Sequence, residues 1–132
     1  MTPRALLLYD ADCGFCRWSL AKLLAWDRAG RLRAVALQDP EAARLLGAMS
    51  EEKRMDSWHL VTPGGEVHSA GAAFPALFEL LPGGRPLATL ARRFPEATQR
   101  TYEAVSRNRG RLARLITQGA ARRARRRIGE RS

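Results

Sequence analysis

The sequence predicts an α/β fold with a central four-stranded mixed sheet, in the order β-α-β-α-β-β-α, flanked by helices and followed by extra C-terminal helices. Three observations carry this reading. A short apolar run, Ala5–Tyr9, stops at the turn-prone Asp10-Ala11-Asp12, as a strand buried on both faces does. A helical stretch of about four turns, at 3.6 residues each, follows it, and a second strand-like run then closes a βαβ unit. Two short segments around Pro63-Gly64-Gly65 read as a hairpin. At 132 residues and 45% hydrophobic content, the chain has material for one packed core.

Each element has its own local signal. Gly14 to Arg28 is rich in helix formers and is closed by Gly30 at C′. Leu32 to Leu37 is the second strand, with one face nearer solvent than in the first. Asp39-Pro40-Glu41 supplies an N-cap, a proline at N1 and an acidic first turn, and opens a short helix through Leu46. Ser50-Glu51-Glu52-Lys53 starts another. Ser57–Val61 and Glu66–His68 form the hairpin strands. Gly71 to Leu81 places Phe74, Leu77, Phe78 and Leu81 at helical spacing, before Pro82-Gly83-Gly84 ends it. Helix continues after Arg85, and Pro95 opens a stretch running from Glu96 through Ile116. This is the order of a thioredoxin-like core.

Charge divides the chain. Residues 1–106 hold 13 Lys or Arg against 12 Asp or Glu, for +1, whereas residues 107–132 hold ten Arg against Glu130, for +9. The expected organisation is a domain with appended helices over residues 1–106 and an arginine-rich helical or disordered tail over 107–132. Leu112, Leu115, Ile116 and Ala120 form an apolar stripe ahead of Arg122-Arg123-Ala124-Arg125-Arg126-Arg127. A solvated tail is the default, and weak contact with nucleic acid or an anionic membrane is the alternative. Thr2-Pro3-Arg4 followed by Ala5–Leu8 is too short for a signal peptide or a span, so a cytoplasmic location is expected.

Cys13 and Cys16 close too small a loop to staple distant parts of a fold. In a reducing compartment the pair points to redox chemistry or metal. At a helix start, the free N–H groups of residues 14–16 and the helix dipole favour a thiolate at Cys13. Cys13 is then the nucleophile and Cys16 the resolving thiol. Asp12 opposes that thiolate and serves equally well as the helix N-cap. Asp10, at the end of the first strand, is a candidate proton acceptor for Cys16, with a plain turn role as the alternative. Phe15 and Trp18 are candidates for a docking surface, beside a simpler packing role.

The run Tyr9-Asp10-Ala11-Asp12-Cys13-Gly14-Phe15-Cys16 resembles the signature of the DCC family of thiol-disulfide oxidoreductases, named for its Asp-Cys-x-x-Cys pattern. The likeness extends through Arg31-Leu32-Arg33, Leu37-Gln38, Asp56-Ser57, the Gly-Gly turn, Ala72-Ala73 and Ser106-Arg107-Asn108-Arg109, covering about residues 5–112. It implies a thioredoxin-like fold and dithiol-disulfide exchange, here with a protein or small-molecule disulfide or thiol; from the residues themselves, no cofactor and no metal are expected. Two departures accompany it. Thioredoxins and glutaredoxins place a cis-proline before the third strand, facing the CxxC; here Asp56, between Met55 and Ser57, takes that place, so Asp56 and Ser57 are candidate substrate-binding residues. The C-terminal cysteine expected of many relatives is absent.

Two rival readings remain open at this level. One is a binding module on a thioredoxin-like scaffold, held on nucleic acid or acidic membrane by its tail. The other is a zinc site shared across a dimer, since two cysteines make only half of a four-ligand site. His59 and His68, both on expected strands, read as a satisfied strand histidine and a solvent-facing one.

Overall fold

The computed structural model describes residues 4–132; residues 1–3, assigned to the domain by the sequence, lie outside them. Four strands, β1 (Ala5–Tyr9), β2 (Leu32–Ala36), β3 (His59–Val61) and β4 (Val67–Ser69), form one sheet in the order β2-β1-β3-β4. β1 pairs parallel to β2, with Tyr9 opposite Ala36, and antiparallel to β3, with Leu7 opposite Leu60. β3 and β4 make the antiparallel hairpin. The mixed sheet expected from the sequence is therefore present, in thioredoxin-like order.

Because side chains alternate across a strand, β1 feeds two cores. Leu7 packs with Leu20 and Leu24 of α1 (Gly14–Trp26) and with Leu77 of α4 (Phe74–Leu80). Leu8 faces the opposite side, with Val35, Leu37, Val61 and the α2 (Pro40–Leu45) residue Ala42. Asp39 caps α2 by accepting from the Glu41 N–H at 2.9 Å, and Ser50 caps α3 (Glu51–Asp56) by accepting from the Lys53 N–H at 3.2 Å. His59 is buried, with its ring nitrogens 2.6 Å from Ser69 Oγ and 2.9 Å from the Arg54 carbonyl.

Several elements differ from the sequence expectation. α1 ends at Trp26 rather than Arg28, because the Asp27 carboxylate turns back to accept from the N–H groups of Arg31 and Leu32, at 3.0 and 2.9 Å. The helix expected from Gly71 is a 3-10 turn over Ala70–Ala73 followed by α4, which carries Pro75 in its first turn, where a missing N–H costs least. After α5 (Arg85–Arg93), the long helix expected through Ile116 is divided into α6 (Pro95–Arg107) and α7 (Arg109–Ala113). Asn108 sits at the break, and its side-chain amide donates to the Ala104 carbonyl at 2.7 Å, competing with the helical ladder.

The arginine-rich segment folds back onto the domain as α8 (Gln118–Glu130), capped by Thr117, which accepts from the Ala120 N–H at 3.0 Å. Ala124 and Ile128, four residues apart on one face, are buried, and Ile128 joins the α1 core. Arg122, Arg123, Arg125, Arg126 and Arg127 are exposed on the other faces. The apolar stripe and this cluster do not share one helix, since a turn over residues 114–116 separates α7 from α8. Among the described residues no helix is long and apolar enough to cross a membrane.

Candidate active site

Parallel pairing brings the carboxyl ends of β1 and β2 together, and the loop leading into α1 starts from that edge. Cys13 itself is the N-cap of α1: its backbone is extended, and its Sγ accepts from the Cys16 N–H at 3.2 Å. A sulfur there takes up one of the free helical donors and lies at the positive end of the helix dipole. Asp12 is therefore not the cap; it is exposed, with its carboxylate 3.3 Å from Gln38 Nε2. Both cysteines are free thiols and half-buried.

The loop before Cys13 is held from both sides. Asp10 Oδ1 accepts from the Asp12 N–H at 2.9 Å and from Gln38 Nε2 at 2.8 Å, while Gln38 Oε1 accepts from the Ala11 N–H at 3.1 Å. The Arg17 guanidinium donates to the Ala11 carbonyl. Nothing in the sequence around Gln38 marks it for this role. Its signal was available in the register, because Tyr9 opposite Ala36 puts Gln38 beside Ala11 once the two strands run parallel.

Cys16 lines a mostly apolar cavity of about 390 Å³ between the sheet, α1 and α6. The cavity reaches Leu7 and Leu20 in the core, and Phe15, Trp18 and Asp10 also border it. Phe15 and Trp18 stack at 6.1 Å between ring centroids and separate this cavity from a smaller one of about 230 Å³ beside Leu115 and Ile116. Burial, followed by the hydrogen bond with Cys13 and that neighbour's charge, pushes the Cys16 thiol up to about 12; Arg109 opposes this and Asp10 adds to it.

Of the two candidates before the third strand, Ser57 lines the cavity and Asp56 does not. Asp56 is the last residue of α3 and is exposed, and no described peptide bond there or elsewhere is cis. Helical residues turn about 100° apart, so Met55 rather than Asp56 reaches the cavity wall, with Trp58 on the far side of Ser57. The residues missed by sequence reasoning come from α6 and its junction with α7: Tyr102, Val105, Ser106 and Arg109. Burial raises the Tyr102 hydroxyl above its ordinary range, against hydrogen bonding from the Trp58 backbone and Ser106. α6 reaches this position because Gly71 lets it approach: a Cβ there would lie 2.7 Å from Gln99 Cα. Among the described residues no cluster of three His, Cys, Asp or Glu side chains offers a metal site.

A mixed sheet in this order, with a CxxC at the start of the helix after its first strand, defines a thioredoxin-like protein. Residues 7–115 match the family model of the DCC1-like thiol-disulfide oxidoreductases. The chain belongs to that family. No curated protein and no solved structure matches it.

Proposed function

We propose that this protein exchanges its Cys13–Cys16 dithiol with the disulfide of a protein or small-molecule partner. The carrying observation is the asymmetry of the pair: Cys13 Sγ accepts from the Cys16 N–H at the head of α1, while Cys16 lies one turn inside with its thiol pushed up to about 12. Cys13, as thiolate, attacks one sulfur of the partner disulfide, forming a mixed disulfide and releasing the other partner sulfur as a thiolate. Cys16 then gives up its proton and attacks Cys13 Sγ, releasing the second partner thiolate. Two electrons pass to the partner, and the protein is left with a Cys13–Cys16 disulfide. Asp10, whose charge acts on Cys16 and which borders the same cavity, is the acceptor for the Cys16 proton in this reading. Asp12 has no part in the steps.

The test is trapping. Cys16→Ser should accumulate a long-lived mixed disulfide at Cys13 when given an oxidised thiol such as oxidised glutathione, and Cys13→Ser should reduce no test disulfide. Exchange at the wild-type rate by Cys13→Ser would sink the proposal. A second measurement separates the two thiols: with iodoacetamide at pH 8, reduced protein should be modified at Cys13 first, and Cys16, whose thiol is pushed up by burial, should follow more slowly. Equal labelling of both at pH 8 would contradict their assigned roles.

A further inference from the structure

We propose that the cavity beside Cys16 is a binding site for an amphiphilic monoanion: a small molecule with an apolar body of about a dozen non-hydrogen atoms and a single carboxylate or similar group held by Arg109. The size follows from the cavity's roughly 390 Å³, taken at about 30 Å³ for each atom-sized group, the share of one water in the liquid. The cavity lies within the range of small-molecule pockets, and its floor is apolar, reaching the buried Leu7 and Leu20.

Three of its polar groups come from the α6 side, while Asp10, Ser19, Lys22 and Ser57 border it from the sheet and α1. Tyr102 and Ser106 lie one turn apart on α6 and Arg109 opens α7 just past the break at Asn108, and all three line the cavity. Among the described residues no carboxylate is paired with Arg109. Of the side chains that line the cavity, Arg109, Lys22 and Asp10 are charged, one positive charge over, and Cys13 is not among them. Asp10 is hydrogen-bonded to Gln38 and to the Asp12 N–H, and the Lys22 ammonium lies 5.5 Å from the centre of the Trp18 ring, whereas the guanidinium of Arg109, an exposed residue beside the Tyr102 and Ser106 hydroxyls, is the cation placed to meet a ligand anion.

A peptide suits this cavity less well. Docking by strand addition needs a free edge, and the strands under this cavity offer none: β1 lies between β2 and β3, and β3 lies between β1 and β4. An alkyl or aryl body needs no main-chain partner.

The site is independent of the dithiol chemistry, because the ligand need be neither thiol nor disulfide. Isothermal titration of full-length protein with decanoate and with decanol, its neutral counterpart, tests it on wild type and on a Cys13→Ser/Cys16→Ser double variant alike. Decanoate should bind saturably with one site, about tenfold more tightly than decanol, as loss of one charged hydrogen bond implies. Arg109→Gln should bring decanoate down to the decanol level, whereas Arg107→Gln, outside the cavity, should leave the difference intact. Equal affinity for the two ligands, no saturable decanoate binding, or an unchanged preference in a folded Arg109→Gln protein would each overturn the proposal. An equal loss in Arg107→Gln would do the same, by showing attraction to general positive charge.

Discussion

The two ends of α1 lie roughly 20 Å apart, at 1.5 Å per residue, and meet opposite demands. At the N-terminal end a thiol occupies the cap and its loop is held by an exposed glutamine, with a cavity alongside. At the C-terminal end a fully buried carboxylate, Asp27, is satisfied on every side. Its oxygens accept from the Arg31 and Leu32 N–H groups and, at 2.7 Å, from Arg131, whose second Nη reaches the Asp27 carbonyl at 2.8 Å. A carboxylate is unfavourable at the negative end of a helix dipole, and Arg131 offsets it. The difference teaches where the anchoring sits: the clasped end ties α1 to α8, and the open end is left with a cavity and the free thiols proposed to react.

The largest expected effect is at the clasp. Arg131→Ala leaves the Asp27 carboxylate buried without its cation, and should lower unfolding free energy by about 3–5 kcal/mol in urea titration. Cys13 reactivity per folded molecule should stay at the wild-type level. A loss below about 0.5 kcal/mol, the range of an ordinary surface substitution, would show that α8 is not an anchor and would break the comparison.

Next comes the support of the open end. Gly71→Ala forces a methyl group against Gln99, and overpacking of this kind costs about 1–3 kcal/mol. Since α6 carries Tyr102 and Ser106 and leads into Arg109 of α7, the change should alter tryptophan fluorescence from Trp58 as well as stability. Stability that falls with the Trp58 signal unchanged would place the strain away from the cavity.

These two ends were unequally legible in the sequence. The thiol end is local: a buried strand, a turn and a CxxC at a helix start lie within a dozen residues, and β1 has the expected limits. The wall opposite Cys16 was less legible, because it comes from a helix some ninety residues later, whose position depends on the close approach at Gly71. Ser106 and Arg109 did figure in the family resemblance, but nothing local marked them as cavity residues. The clasp was hidden altogether. Asp27 and Arg131 are 104 residues apart, and Arg131 is one of ten arginines in a segment whose overall charge reads as a solvated tail. Composition reports the sum of such a segment and cannot show which member is paired.

The smallest expected effect on stability is at Gln38, and it bears most directly on how the two ends differ. Its hydrogen bonds to Asp10, Asp12 and Ala11 are exposed, so water replaces them readily, and Gln38→Ala should cost only about 0.5–1.5 kcal/mol. Those same bonds set the path of the loop that delivers Cys13 to the cap. The rate of mixed-disulfide formation should therefore fall several-fold while the loss of unfolding free energy stays within that range. Arg131→Ala should give the reverse pattern, with stability lost and the rate per folded molecule kept. If Gln38→Ala instead lost several kcal/mol with its rate unchanged, the loop would be a structural clasp like the one at Asp27, and α1 would be anchored at both ends.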